Sequence, residues 1–278
     1  MDTNALIQRF DILINKILKI KIDKKKAIAI MLTLARSYSI KKFLFISNAF
    51  HSEDLIHFKS DRHFISYKIS KYLLKTCFRK NMKIADIGGG NGDVIKIIGE
   101  NLNLTKENLY CVENNSNSWT ESYPFSNGKH IQYIFWDNIT IPNIKPHSLD
   151  VVLIMVTLHH MTNDIIQNLF NNLNQLAKPN SLLILKEHDC KTSDDLYLIN
   201  WEHHLYYIVN SHLLNENDVI KYKQTYVDNY KTKSYYDNLL YKNGYLDILE
   251  FTRLFDKNLH LDKNNATNLY WKVYKKTG

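Results

Sequence analysis

The chain has 278 residues, 45% hydrophobic and 23% charged, which suits one large α/β domain with a helical appendage and a buried core. Eight Gly and four Pro speak against long disordered linkers. The net charge of +8 admits an anionic partner, but the lysines are dispersed, with short clusters such as Lys24-Lys25-Lys26 and Lys275-Lys276, so a solvated basic surface is the simpler account. Cys77, Cys111 and Cys190 stand far apart without metal or redox spacing, which points to a reducing, intracellular (cytoplasmic) setting. The longest apolar run, Val151 to Leu158, is too short to span a membrane, and the charged, alternating N-terminus is unlike a signal peptide.

Residues 1–80 read as a helical N-terminal cap. Leu6, Phe10, Leu13, Ile17 and Ile20 recur at steps of three and four and form one apolar face. A second helix follows Asp23, with Ile28, Met31, Leu34 and Ala35 on a face. A third starts near Ser60-Asp61 and carries Ile65, Ile69, Tyr72 and Leu73.

From residue 83 the pattern alternates strand and helix, and the domain is expected to run over 81–278. Strands are expected at 83–87, 109–113, 131–135, 149–156 and 181–186, with helices at 93–102 and 163–176 among the connections. Such alternation implies a parallel sheet with crossover helices. Lys178-Pro179-Asn180-Ser181 is expected to turn before the fifth strand, with Asn180 free to take left-handed angles. Past 187 the rhythm changes: about 190–230 reads as a helical insertion rich in Tyr and His. A helix at 234–242 and strands at 245–251 and 269–275 close the chain.

The stretch on which function turns is Asp86-Ile87-Gly88-Gly89-Gly90-Asn91-Gly92-Asp93, between a strand and a helix. Glycine is needed there for backbone angles closed to other residues and for close approach of a ligand. A dinucleotide fingerprint would place glycine at 93, where this chain has Asp93. The Asp-x-Gly-x-Gly-x-Gly spacing resembles motif I of the class I S-adenosyl-L-methionine (SAM) dependent methyltransferases. The resemblance implies an α/β fold: a seven-stranded, mostly parallel, doubly wound sheet with an antiparallel last strand.

It further implies that Gly88, Gly90 and Gly92 lie under the methionine and ribose part of the cofactor, with Asp86 holding the loop. Glu113, ending the second strand, would accept hydrogen bonds from both ribose hydroxyls, which a carboxylate can do and an amide cannot. Asp137 would accept from the adenine amino group, with Trp136 against the ring. Asn114 and Met155, at two strand ends, complete the expected cofactor contacts. Arg62, upstream, would meet the methionine carboxylate through a two-pronged contact.

For the chemistry, Leu158-His159-His160 follows the fourth strand, and His160 is a candidate to take a proton from a substrate hydroxyl or amine. His159 is expected to be structural. His188 and Asp189 end the fifth strand, and His204 lies in the insertion; together they form a candidate acid/base set. The same Glu, His and Asp residues could group around a divalent cation, but the spacings of metal-dependent methyltransferases are not reproduced and no metal is expected.

The acceptor is a small molecule or an RNA. Asn-Pro-Pro-Tyr, typical of N6-adenine enzymes, is absent, as is a cysteine nucleophile, and Met155-Val156 stands where ribose methyltransferases carry aspartate beside a lysine like Lys186. No contiguous basic stripe is visible, which favours the small molecule. A non-catalytic, methyltransferase-like binding subunit is the rival of another class. Nothing in the sequence sets the number of subunits.

Overall fold

From Ile84 onward short apolar runs alternate with longer amphipathic ones, and the chain folds accordingly. The computed structural model describes residues 61–114, 130–140, 142–193, 195–196, 199–200, 226–250 and 269–278. In chain order they form α1 (Asp61–Thr76), β1 (Ile84–Ile87), α2 (Asp93–Leu102), β2 (Leu109–Glu113), β3 (Gln132–Phe135), β4 (Leu149–Met155), α3 (Asn163–Leu176), β5 (Ala177–His188), α4 (Lys233–Lys242), β6 (Tyr245–Glu250) and β7 (Leu269–Lys276). The two earlier helices expected in the cap and most of the insertion, including His204, lie outside the described residues.

The strands join one sheet in the order β3-β2-β1-β4-β5-β7-β6. β1 to β5 are parallel, and β7 runs antiparallel to both β5 and β6. This is the expected fold, antiparallel last strand included. The chain leaves β1 towards β2 and β3, then returns to β1's other side as β4. That reversal opens a crevice at the carboxyl ends of β1 and β4, where open α/β sheets take ligands.

Alternation along the strands builds a core on each face. Ala85, Ile87, Val152, Ile154, Leu183 and Leu185 meet Ile166, Leu169 and Phe170 of α3 and Tyr236 and Leu240 of α4. Ile84, Val151, Leu153 and Ile184 instead meet Ile69 and Leu73 of α1 and Ile95, Ile98 and Leu102 of α2. Strands covered on both faces must be apolar throughout, and β1 is buried at all four positions. Each fully buried Leu or Ile side chain contributes about 1.5–3 kcal/mol. Local signals fix the helix ends. The Thr162 and Thr232 hydroxyls accept from Ile165 and Tyr235 N–H and cap α3 and α4, and left-handed Asn103 stops α2.

One boundary differs from the sequence reading. Residues 178–181 are not a turn preceding the fifth strand but lie within it, β5 starting at Ala177: Leu149 pairs with Ala177, and after a register shift Val151 pairs with Leu182. Asn180 does take a left-handed angle, φ 64°, and with exposed Pro179 it absorbs the extra residues as a bulge. Strand pairing with β4 overrides the local turn chemistry.

Contacts divide the chain into two compact units. One, Arg62–Asp189, Val227–Phe255 and Leu269–Gly278, contains the whole sheet. The other, Met1–Asp61, Cys190–Tyr226 and Asp256–Asn268, falls almost entirely outside the described residues. No helix among the described residues is long and apolar enough to cross a membrane.

Candidate active site

The loop after β1 turns on alternate glycines, Gly88, Gly90 and Gly92, at φ 67°, 56° and 75°. At Gly88 the backbone is pinned, its N–H donating to the Val112 carbonyl at 2.8 Å, and a Cβ would lie 2.1 Å from Thr157 Oγ1. Gly90 is the opposite case: a Cβ there would meet none of the described residues within 4 Å, so among them the loop's tip borders open space. Beneath it, Tyr133 donates to the Asn91 carbonyl at 3.0 Å and Asn91 Nδ2 donates to Asp93 at 2.8 Å. Asp86, at 2% exposure, is enclosed under the loop. Cys111 is buried alongside, and desolvation pushes its thiol pKa up, which keeps it protonated and inert.

Glu113 reaches the loop from the end of β2. Its Oε2 accepts from Gly90 N–H at 3.0 Å and its Oε1 from Asn114 N–H at 2.8 Å. Asn114 Nδ2 in turn donates to Asn138 Oδ1 at 3.4 Å, linking the ends of β2 and β3. Asp137 is exposed and organises the turn after β3: Oδ1 accepts from Ile139 and Thr140 N–H at 2.8 and 2.7 Å, and Oδ2 from the Thr140 hydroxyl at 3.0 Å. The two backbone donors hold its pKa below the usual carboxylate range. Trp136 is 3% exposed and packs into the core, its indole N–H buried with no partner among the described residues. The open apolar surface beside Asp137 belongs instead to Phe135 and Ile139, 57% and 71% exposed. The sequence reading passed over both, because neither carries polar chemistry.

Met155 ends β4 half-buried, paired with Lys186, whose ammonium lies 5.3 Å over the Trp271 ring. Arg62 falls in the first turn of α1. Beyond Met155 the chain bends sharply. Val156 has φ 52°, an angle β-branched residues rarely adopt, and its N–H donates to the Lys186 carbonyl at 2.7 Å. Thr157 then fills the notch at Gly88, and Leu158–His160 form a 3₁₀ turn.

That turn is fastened to β5 by Glu187, which is 1% exposed. Its Oε2 accepts from Leu158 N–H at 3.0 Å; its Oε1 accepts from His188 N–H at 3.0 Å and lies 2.6 Å from His159 Nδ1. His159, with no exposure, stacks on Tyr230 at 4.7 Å and has His188 edge-on at 5.3 Å. The segment before α4 is laced over the same turn. Asn229 donates to the His159 and Met161 carbonyls at 2.9 and 2.8 Å, and Lys233 N–H donates to Asp189 Oδ1 at 2.8 Å.

Of the expected acid/base set, His160 and His188 both border His159, at 4.0 and 5.3 Å between ring centres, but only His160 is exposed. Desolvation of its ring and the neighbouring His159 lower its pKa; Glu187 and a bond to the Val227 backbone oppose them. Asp189 is buried and committed to the Lys233 backbone. His159, Glu187 and His188 each offer a donor atom within 4.8 Å of the others, a spacing a divalent cation could exploit. Glu187, however, already meets three nitrogens, and its 2.6 Å approach to His159 is that of a charge-assisted hydrogen bond.

Similar architectures occur among solved structures. A chain of the complex between the Haloferax volcanii Trm112 methyltransferase activator and a methyltransferase superposes with a TM-score of 0.53 at 10% identity, over 78% of this chain and 92% of its own. The CurJ carbon methyltransferase gives 0.52 at 14% identity, over 99% and 67%. The fold is that of the class I methyltransferases. A geranyl diphosphate methyltransferase in complex with GPP and sinefungin gives 0.50 at 7% identity, over 76% and 77%. No protein-family model and no curated protein matches the sequence. The methyltransferase fold is therefore preserved at identities where sequence similarity has faded.

Proposed function

We propose that this chain is a SAM-dependent methyltransferase acting on an O or N atom of a small molecule. The observation that carries the reading is the convergence at the switch point: the Glu113 carboxylate held 3.0 Å from Gly90 N–H, beside a glycine whose Cβ side is open. A carboxylate can accept from both ribose hydroxyls, and Glu113, at the end of β2 against the glycine loop, is assigned them. Asp137, exposed at the end of β3, is assigned the adenine amino group, and Phe135 and Ile139, rather than Trp136, offer apolar surface to the ring. Asp86, Gly88, Gly92, Asn114 and Met155 shape the rest of the cradle, and Arg62 is assigned the methionine carboxylate. The neighbour that holds sinefungin supports the assignment of the crevice.

When bound, SAM would supply an electrophilic sulfonium methyl group for transfer to the substrate's O or N. The chain's own work is positioning and exclusion of water. Exposed His160 is assigned the proton released when the acceptor is a hydroxyl or an amine. His188 and Asp189, both buried, act as supports. The basic charge favours RNA as the second reading of the acceptor.

Calorimetric titration of the full chain with SAM tests the cofactor. Glu113→Ala is expected to weaken binding about 10- to 100-fold, the equivalent of roughly 1.5–3 kcal/mol for hydrogen bonds to a charged group. Wild-type protein that binds no SAM overturns the proposal. Transfer of labelled methyl into small-molecule, RNA and protein fractions of a cell extract then identifies the acceptor. SAM that is bound but never consumed marks a binding subunit instead.

A further inference from the structure

Glu187 is the most enclosed carboxylate at the sheet's carboxyl edge, yet it is not placed where a substrate can touch it. Its two oxygens meet nitrogens from two elements: Leu158 N–H and His159 Nδ1 from the turn after β4, and His188 N–H from the end of β5. Two of these partners are backbone N–H groups and can only donate. Burial pushes the Glu187 pKa up against the pull of these donors, but an acceptor surrounded by donors is best served as a carboxylate, with the shared proton on His159 Nδ1. His159 is then a fixed tautomer, with Nε2 the ring's acceptor.

The surroundings leave this turn little freedom. Val156 is held at φ 52° by its bond to the Lys186 carbonyl, Thr157 fills the notch at Gly88, and the carbonyls of His159 and Met161 take Asn229. Of the three residues Leu158, His159 and His160, the first two are buried and only His160 is open. Its ring rests on His159 at a centre distance of 4.0 Å. A strained β-branched residue persists only where its surroundings over-determine it, and such residues gather at functional sites.

We propose that Glu187 is the positioning residue of this site: by holding Leu158 and fixing the tautomer of His159, it sets the pose and charge of His160. The inference rests on the methyltransferase reading for the use made of His160, but not for the coupling itself. The groups that bear on His160 are His159 on its own turn, Glu187 and, through His159, His188 from β5, and the Val227 backbone and Tyr230 from the segment before α4. The Glu187 charge favours protonated His160, so its removal lowers the His160 pKa.

The test uses the full-length chain with isotope-labelled histidines, comparing wild type, Glu187→Gln and Glu187→Asp by nitrogen-detected NMR across pH, with His160→Gln to assign the ring. In wild type, His159 is expected to show a proton fixed on Nδ1. In Glu187→Gln that signature is expected to be lost and the His160 titration to move to lower pH, with SAM affinity within about threefold of wild type. Glu187→Asp is expected to restore part of both signals, and it carries the test if the Gln variant does not fold. Where an acceptor has been found, kcat is expected to fall at least tenfold with little change in KM, and the acidic limb of the kcat profile to shift down.

Unchanged His159 and His160 signals in both variants overturn the proposal, whatever happens to SAM. Loss of SAM binding by wild type overturns the cofactor reading and leaves the histidine coupling to be judged by NMR. Stoichiometric binding of added Zn²⁺ by wild type, lost in Glu187→Gln, also overturns it, because Glu187 would then be a ligand.

Discussion

Gly88 and Gly90 sit two residues apart in one loop, both at left-handed angles, and they are needed for different reasons. A methyl group at Gly88 would meet Thr157 Oγ1 at 2.1 Å, so substitution there forces the loop away from the turn after β4. At Gly90 a methyl group would enter open space that the proposal assigns to ligand. Gly88→Ala is therefore expected to cost about 2–5 kcal/mol, summing a left-handed Cβ penalty of about 1–2 and an overpacking penalty of about 1–3. Gly90→Ala carries only the first penalty but is expected to weaken SAM binding at least tenfold. Urea unfolding together with SAM calorimetry separates the two; equal loss of stability in both variants would sink the distinction. The glycines themselves were legible from their spacing, as were Glu113 and Asp137 at strand ends. The inward turn of Trp136 was not, because a ring next to a polar strand end can face either way and only packing decides. Glu187's part was equally hidden, since its partner His159 is 28 residues away.

At the scale of elements, the order of strands and helices was written in the alternation of apolar runs, and the ranges expected for α2 and α3, 93–102 and 163–176, are those observed. The start of β5 was not, because its register is set by pairing with β4. The other feature without a local signature is the tie between α4, β6 and β7. Lys272 of β7 is nearly enclosed, and its ammonium lies 3.0 Å from Asp237 of α4 and 2.5 Å from Asp247 of β6, while Tyr274 donates to Asp237 at 2.5 Å. Burial alone would lower the Lys272 pKa, but the two carboxylates raise it above its ordinary value. A group with a raised folded-state pKa contributes its stability in full below the unfolded value, near 10.4, and loses it as pH climbs through the folded value. Lys272→Met leaves two acidic side chains facing each other without their cation. Both are partly exposed to water, so the expected cost is about 1–3 kcal/mol rather than the larger penalty of a fully buried broken pair. Thermal melts are expected to show this gap between wild type and variant from pH 7 to 9, narrowing above about pH 10.4. A gap that is already absent at pH 7 would show that the tie adds no stability.

For the whole molecule, the fold decides where a ligand binds but not which acceptor is methylated. The same sheet serves a carbon methyltransferase and a geranyl diphosphate methyltransferase, at 14% and 7% identity to this chain. Charge is the global property that bears on the choice. A net +8 over 278 residues draws polyanions from a distance whatever the specific site, so retention on RNA at low salt would say little. The informative quantity is how quickly binding fades as salt rises. Each neutralised phosphate on single-stranded RNA contributes about 0.7 to the log–log slope, and proteins with six to ten such contacts lose about 10³–10⁵ in duplex affinity between 50 and 200 mM salt. The lysines form no contiguous stripe along the sequence, which favours few simultaneous phosphate contacts. A filter-binding titration with transfer RNA is therefore expected to lose about tenfold or less across that range, in keeping with non-specific attraction and a small-molecule acceptor. A thousandfold loss, together with labelled methyl in the RNA fraction, would reverse the assignment and make the positive charge part of the substrate site.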